Sequence, residues 1–299
     1  MKVFITGING YIGGTIANLF ISKGYEVSGL VRRPELVTPL AAMGIKPIVG
    51  NIDNAPVLSS AAANADAVIH TASHVDPYSI EVLLNTLKGT GKTLIHTSGS
   101  SILGKKEYGA ASGFIYTEDH PIAPRIERIA WTGINNHVLQ AATTSIRTIV
   151  IIPTMVYGRG SGLHKESIQL PLIWKIAKEK GQGIYVEQGE SIWSNVHVTD
   201  LAELYLKALE NAPAGSAYYA ENGEASFKEI AAAMSAKLGV NQTLSLSMDE
   251  AIRIFGPDMA HYGLASNSRA SSQKARQLLG WQPSINGIFD HIKNEISEA

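Results

Sequence analysis

The chain alternates two kinds of hydrophobic pattern. Short, nearly continuous apolar runs occupy Val3–Thr6, Glu26–Val31, Pro47–Val49, Ala67–Thr71, Thr93–Thr97 and Arg147–Pro153. They are rich in Val and Ile and bounded by Gly, Pro, Asp or Asn, which predicts strands. Between them, Tyr11–Lys23, Glu35–Met43, Asn54–Ala63 and Pro77–Leu87 repeat apolar positions at helical spacing. Strands alternating with helices predict βαβ units and a parallel sheet. Runs such as Ile149–Ile152 show no polar alternation, which suits strands covered on both faces. The predicted fold class is therefore α/β, a doubly wound parallel sheet.

The rhythm changes after Gly158. Residues 158–163 read as a mobile loop. A helix is expected near Ser167–Lys180, short strands near Ile184–Glu187 and Ile192–His197, and a helix from Asp200, whose spacing to Glu203 matches a capping box. Further helices are expected near Ser226–Leu238, Met248–Phe255 and Ser271–Leu279. The one long irregular stretch, Ser98–Arg125, is rich in Gly, Ser and Pro; loops of this length inside a compact domain are usually functional or mobile.

Composition narrows the chemistry. With 45% hydrophobic and 17% charged residues among 299, the chain is not of disordered type. Lys+Arg (25) and Asp+Glu (26) nearly cancel, so no global field favours nucleic acid or an anionic membrane. The absence of cysteine excludes disulfides, thiolate metal sites and a cysteine nucleophile, and fits a reducing, cytoplasmic setting. No run approaches the ~20 apolar residues of a membrane span. The Gly/Asn cluster directly after Lys2–Thr6 interrupts any secretory h-region. No His/Asp/Glu spacing suggests a metal site, and no G-x-S-x-G elbow supports a serine hydrolase.

The strongest local signal is Thr6-Gly7-Ile8-Asn9-Gly10-Tyr11-Ile12-Gly13, between the first strand and the first helix. Gly7 permits a tight turn, Gly10 lets backbone approach a pyrophosphate, and Gly13 lets helix and strand pack closely. The helix N-terminus offers unpaired N–H groups to phosphate. The second strand ends in Val31-Arg32-Arg33-Pro34, with two arginines and no acid. A NAD site usually carries Asp or Glu here to hold the ribose 2′-OH, and an NADP site Arg to pair the 2′-phosphate, so NADP is expected rather than NAD.

Thr6–Gly13 resembles the TGxxGxxG fingerprint of the short-chain dehydrogenase/reductase superfamily in its extended branch, the NAD-dependent epimerase/dehydratase family. Further stations follow in order. Gly50-Asn51-Ile52-Asp53 resembles the adenine-contacting segment, with Asn51 for the usual Asp. Val68–Ala72 resembles the fourth strand and its cofactor-contacting end. Ile95–Ser100 resembles the fifth strand, which carries the catalytic Ser/Thr. Ile152–Gly158 resembles R-P-x-x-v-Y-G, with Ile152 for Arg. Val196–Ala202 resembles H-V-x-D-hydrophobic-A, and Leu278–Pro283 resembles L-G-W-x-P. The resemblance implies a Rossmann domain over 1–160 and a smaller, mostly helical substrate-binding region over 161–299, with segments near 192–220 returning to the main sheet. It implies cofactor contacts from Gly7, Asn9, Gly10, Tyr11 and Ile12, from Arg32, Arg33, Asn51 and Ile52, from Thr71, Ala72, Ser73 and Thr97, and from Pro153, Thr154 and Val156. It also implies a monomer or a homodimer acting on a small molecule, with neither nucleic acid nor membrane as partner.

The chain departs from the family at the catalytic helix. There a Tyr-x-x-x-Lys pair sets a lysine ammonium one turn from a phenol and lowers its pKa. None of the eleven tyrosines has Lys four residues on, and the corresponding segment reads Arg128-Ile129-Ala130-Trp131-Thr132. Ser98 and Ser100 can polarise a carbonyl oxygen, and Tyr157 is the candidate proton donor. His74, Trp131, Trp193 and His197 are expected at the substrate. Asp76, near His74, and the pair Tyr116/His120 are weaker candidates. The expected function is NADP-dependent hydride transfer to a small carbonyl or enone. The alternatives are a catalytically silent NADP-binding sensor or interaction protein, and a sugar-type epimerase or dehydratase.

Overall fold

The structure, a computed structural model, describes residues 1–285 and 287–296. Its first half runs β1 (Lys2–Thr6), α1 (Tyr11–Ser22), β2 (Glu26–Val31), α2 (Val37–Ala42), β3 (Lys46–Val49), α3 (Ala55–Ala63), β4 (Ala67–His70), α4 (Pro77–Leu87), β5 (Thr93–Thr97), α5 (Ile129–Gln140) and β6 (Arg147–Pro153). The remainder comprises β7 (Met155–Tyr157), α6 (Gln169–Lys180), β8 (Gly183–Val186), β9 (Ile192–His197), α7 (Val198–Asn211), β10 (Ser216–Ala220), β11 (Glu224–Ser226), α8 (Phe227–Lys237), β12 (Thr243–Leu246), α9 (Met248–Phe255), a π-helical turn at Met259–Leu264, α10 (Gln273–Leu279) and α11 (Ile288–Asn294). No helix among the described residues is long and apolar enough to cross a membrane.

The main sheet has seven parallel strands in the order β10-β6-β5-β4-β1-β2-β3. The expected doubly wound α/β sheet is thus present. Its direction of growth reverses between β1 and β4, and ligands of such sheets bind beyond the strand ends at that switch point. Alternation along each strand builds two cores. Val3, Ile5, Ile149 and Ile151 pack against α1 and α7, with Phe20, Tyr205 and Trp281. Phe4, Val150 and Ile152 face the other way, against α3, α4 and α5, with Leu58, Leu83 and Val138. Such two-sided burial is what nearly unbroken apolar strands require.

A third core around Trp174, Trp193, Phe227 and Leu264 holds the C-terminal region. Within 192–220 only Ser216–Ala220 enters the main sheet as a strand. Ile192–His197 lies instead in a separate three-stranded sheet, β11-β9-β7. The helix expected from Asp200 begins at Val198, and its N-cap is His197, whose Nδ1 accepts from the Thr199 N–H at 3.2 Å. The Asp200 carboxylate accepts instead from the Ser284 and Ile285 N–H groups, at 3.1 and 2.9 Å. Capping boxes do form at Ser226/Glu229 and Ser247/Glu250.

Candidate functional site

The site begins at the switch point. Gly7 adopts φ +71°, a left-handed turn that side chains resist, and accepts the Gly10 N–H at 2.9 Å. A methyl group on Gly7 would stand 2.9 Å from Ala72 N, and one on Gly13 would collide with the Gly7 carbonyl. Thr6 Oγ1 binds the Thr71 and Ala72 N–H groups, and Thr71 Oγ1 donates back to Thr6 O at 2.6 Å. The ends of β1 and β4 are thereby locked together beneath the turn. Gly10 caps α1 without a side-chain hydrogen bond, and no acidic residue occupies the first turn of α1. The amide end of this helix is therefore open to an anion.

The segment 158–163, expected to be mobile, is pinned over α1. Tyr11 Oη donates to Gly158 O at 2.7 Å, Thr15 Oγ1 accepts from Ser161 N–H at 3.2 Å, and Gly162 packs directly on Gly14. Arg32 and Arg33 are exposed at the end of β2, with Arg33 3.6 Å from Glu35. Arg33 shares a basin of about 270 Å³ with Asn9, Leu36, Pro39, Leu163 and His164, next to the glycine turn. Asn51 and Ile52 follow β3; Ile52 leans on the α3 core.

From the turn, a cleft of about 510 Å³ runs across the strand ends. Gly7, Gly10, Tyr11 and Ile12 line one end; Thr71, Thr97, Pro153, Thr154 and Val156 form its floor; Ser98, Ser100, His74, Arg128, Trp131 and Trp193 close the other end. Ser98 Oγ accepts from Asn135 Nδ2 at 2.8 Å, both residues being buried. Ser268 Oγ lies 2.9 Å from Ser100 Oγ and 3.0 Å from Ser100 O. Ser73 Oγ accepts from the Val75 and Asp76 N–H groups and so shapes the loop that carries His74. The His74 ring meets Trp131 edge-on at 4.0 Å, and burial, then Arg128, lowers its pKa, which keeps the imidazole neutral. Trp193 is anchored by Nε1 donating to Ser266 O at 2.7 Å. A larger depression of about 920 Å³, lined by Lys2, Glu26, Lys46 and Asn64, lies at the opposite edge of the sheet, away from the glycine turn.

Two expected roles are corrected by the geometry. Tyr157 is fully buried outside the cleft; its hydroxyl donates to Ile285 O at 3.1 Å and accepts from Gly287 N–H at 3.0 Å, so it has no free proton to offer a substrate. His197 packs on the Tyr157 ring and caps α7. Asp76 likewise caps α4 through the Tyr78 and Ser79 N–H groups. Tyr116 and His120 line a different pocket, with Phe114.

Sequence reasoning missed the roof of the cleft, formed by Asp258, Met259, Tyr262 and Gly263. A single π-helical turn has no hydrophobic periodicity to betray it. Arg128, in the segment expected to correspond to the family's Tyr-x-x-x-Lys, lines the cleft as well. It is 8% exposed, stacks over Trp131 at 4.2 Å, and ion-pairs with Asp258 at 2.5 Å.

Comparison with known proteins places this geometry in a family. The profile of the NAD dependent epimerase/dehydratase family matches residues 3–220. The chain is 29% identical to the oxidase ucsJ of Acremonium sp, covering 94% of this chain and 92% of that protein. It is 24% identical to a 4-hydroxy-2-methyl-3-oxo-4-farnesyl-3,4-dihydroquinoline-1-oxide ketoreductase of Stigmatella aurantiaca, covering 75% and 69%. Among solved structures, dTDP-glucose 4,6-dehydratase of Bacillus anthracis, in complex with NAD, superimposes with a TM-score of 0.78, covering 99% of this chain and 95% of that one at 16% identity.

Proposed function

The chain belongs to the NAD dependent epimerase/dehydratase family, and we propose that within it the protein is an NADP-dependent oxidoreductase passing hydride to a small carbonyl or enone compound. The observation that carries this reading is one cleft lined both by the glycine turn and by Ser98, Ser100, Arg128 and Trp131. The oxidase and ketoreductase relatives support redox chemistry over sugar epimerisation.

The residues fit a dinucleotide. The α1 amide end and Gly10 would take the diphosphate, and the cradle at Gly7 and Gly13 leaves no room for side chains. Arg33, beside its basin, and the adjacent Arg32 would pair a ribose phosphate. Bound there, the reduced nicotinamide supplies hydride. Ser98 receives a hydrogen bond from Asn135, which leaves its own hydroxyl proton free for the substrate oxygen. Reduction of a carbonyl here would leave the C=O electron pair on that oxygen. The Ser98 hydroxyl would stabilise it there. The final proton would come from water entering the cleft, since the segment expected to carry the family's Tyr and Lys, Arg128–Thr132, holds neither.

That same absence of Tyr and Lys from Arg128–Thr132 favours a second reading, a catalytically silent NADP sensor. One experiment separates them: purified protein with NADPH and a panel of ketones, aldehydes and quinones, followed at the nicotinamide absorbance band. Consumption with any panel member supports the oxidoreductase. Tight NADPH binding with no turnover on any of them supports the sensor.

A further inference from the structure

We propose that the substrate is an oxo acid, its carboxylate held by Arg128 in the place Asp258 occupies in this structure. The inference rests on the hydride-transfer reading above and specifies its substrate class.

Two ion pairs stand here: Arg128 with Asp258, both lining the cleft, and Arg125 with Glu127 beside them. The guanidinium groups lie inside, with side chains 12% and 9% exposed; the carboxylates lie outside, 44% and 60% exposed. Water screens the exposed acids, whereas the buried cations keep their field within the protein. Consistent with that field, burial and then Arg128 pull the Arg125 guanidinium below its ordinary range. Arg128 lines the cleft, and the neighbouring His74 is neutral. A substrate anion entering here meets a positive wall.

Arg128 is also held ready for exchange. Its plane is fixed by the Trp131 ring, by Nε donating to Ser101 Oγ at 3.3 Å, and by Nη1 donating to Glu127 O at 3.4 Å. Both Asp258 oxygens crowd one nitrogen, Nη2, at 2.7 and 2.5 Å. The stronger carboxylate geometry is a fork bridging two nitrogens, which Asp258 does not make. Asp258 can swing into water at little cost, while Arg128 cannot leave. Ser101, which touches Arg128, is in turn close along the chain to Ser98 and Ser100, where the carbonyl oxygen would sit. Ser98, Ser100, Ser101 and Arg128 line the same cleft, which suits an acid carrying its oxo group close to the carboxylate, as 2-oxo and 3-oxo acids do.

The test uses matched pairs, pyruvate with methyl pyruvate and 3-oxobutanoate with its methyl ester, at saturating NADPH. The expected ratio of kcat/KM, acid over ester, is about tenfold or more for at least one pair. Arg128→Gln should bring that ratio towards one by raising KM for the acid, and Asp258→Asn should raise it severalfold by removing the competing carboxylate. In parallel, the acids should quench Trp131 fluorescence in the wild type, relative to Trp131→Phe, and not in Arg128→Gln. An ester turned over as well as its acid, with no change of ratio in Asp258→Asn, overturns the oxo-acid proposal and leaves hydride transfer standing. NADPH binding with no turnover of either pair or of any ketone, aldehyde or quinone of the panel overturns the hydride reading instead; quenching by an acid in that case still supports Arg128 as the carboxylate site, and no quenching overturns it.

Discussion

Asn135 on α5 holds Ser98 at the end of β5 through a 2.8 Å hydrogen bond from Nδ2 to Oγ, and its own Oδ1 is buried without a hydrogen-bond partner. This bond makes the serine oxygen an acceptor towards Asn135; in the proposed reading its own proton would then be directed to the substrate oxygen. Asn135→Ala frees Ser98 to rotate, so turnover should fall about tenfold while NADPH affinity changes little. Asn135→Asp reverses the polarity by presenting an acceptor to Ser98, and should cost more than the alanine. Steady-state kinetics with calorimetry on both variants would show it; equal turnover in wild type and Asn135→Asp would end the assignment of Ser98.

Gly13 packs against the carbonyl of Gly7, the residue that turns the chain. The obstacle to a side chain here is backbone, which cannot swing aside as a flexible side chain could. Gly13→Ala should therefore push α1 away from β1, costing about 1–3 kcal/mol of stability. It should also weaken NADPH binding by an order of magnitude or more, at about 1.4 kcal/mol per tenfold. Thermal unfolding and calorimetric titration read the two effects separately. Full affinity in a folded Gly13→Ala protein would contradict the cradle.

The parts of this molecule written in contiguous residues were legible in the sequence. The first six strands alternate with helices because each run is locally periodic, and the glycine turn declares itself because three glycines fall where strand passes to helix. What the sequence hid was set by distant contacts. Tyr157 reads as a free phenol until Ile285 and Gly287 are seen to enclose its hydroxyl. His197 and Asp200 both look like functional polar residues at a helix start, and only the fold shows that His197 caps and Asp200 ties the C-terminal segment. Strands β7, β11 and β12 are three or four residues long, too short for alternation to register. The roof at Asp258–Gly263 faces Arg128 across 130 residues of chain.

Arg32 and Arg33 end β2 beside the glycine turn, and Arg33 has only a loose, exposed contact with Glu35. Such a contact contributes little and yields readily to phosphate. Replacing both with Ala should weaken NADPH by about 1.5–3 kcal/mol, roughly ten- to a hundredfold, and leave NADH nearly untouched. Calorimetry with both coenzymes decides; parallel losses for the two would remove the basis for NADP selectivity.

Tyr157→Phe separates architecture from catalysis. The substitution keeps the ring packed on His197 and His291 but leaves the Gly287 N–H without its partner, while the Ile285 carbonyl keeps Asn222 Nδ2 as a donor at 3.2 Å. Expected are a loss of about 1–2 kcal/mol in stability and a kcat within twofold of wild type. Collapse of kcat with stability intact would restore the phenol as proton donor.

The main sheet carries two stacked histidines, His70 on β4 and His96 on β5, with ring centres 5.8 Å apart and both fully buried. His70 Nδ1 lies 2.9 Å from Thr6 Oγ1, whereas neither His96 nitrogen has a hydrogen-bond partner among the described residues. Burial drives the His70 pKa down to about 4, and burial, then His70, holds His96 well below its ordinary value. In the unfolded chain both titrate near 6.5. Because the folded values are depressed, the contribution to stability is complete above about pH 6.5 and is lost as pH falls towards 4, where the unfolded chain takes up protons that the folded protein refuses. The slope is about 1.4 kcal/mol per pH unit for each group, so stability should drop by roughly 2–4 kcal/mol between pH 6.5 and 5. His96→Phe fills the same space, removes both orphaned nitrogens and should about halve that slope. Urea unfolding midpoints at pH 7, 6 and 5 for wild type and His96→Phe provide the measurement, and parallel pH profiles for the two proteins would show that the buried histidine pair is not what makes the fold acid-labile.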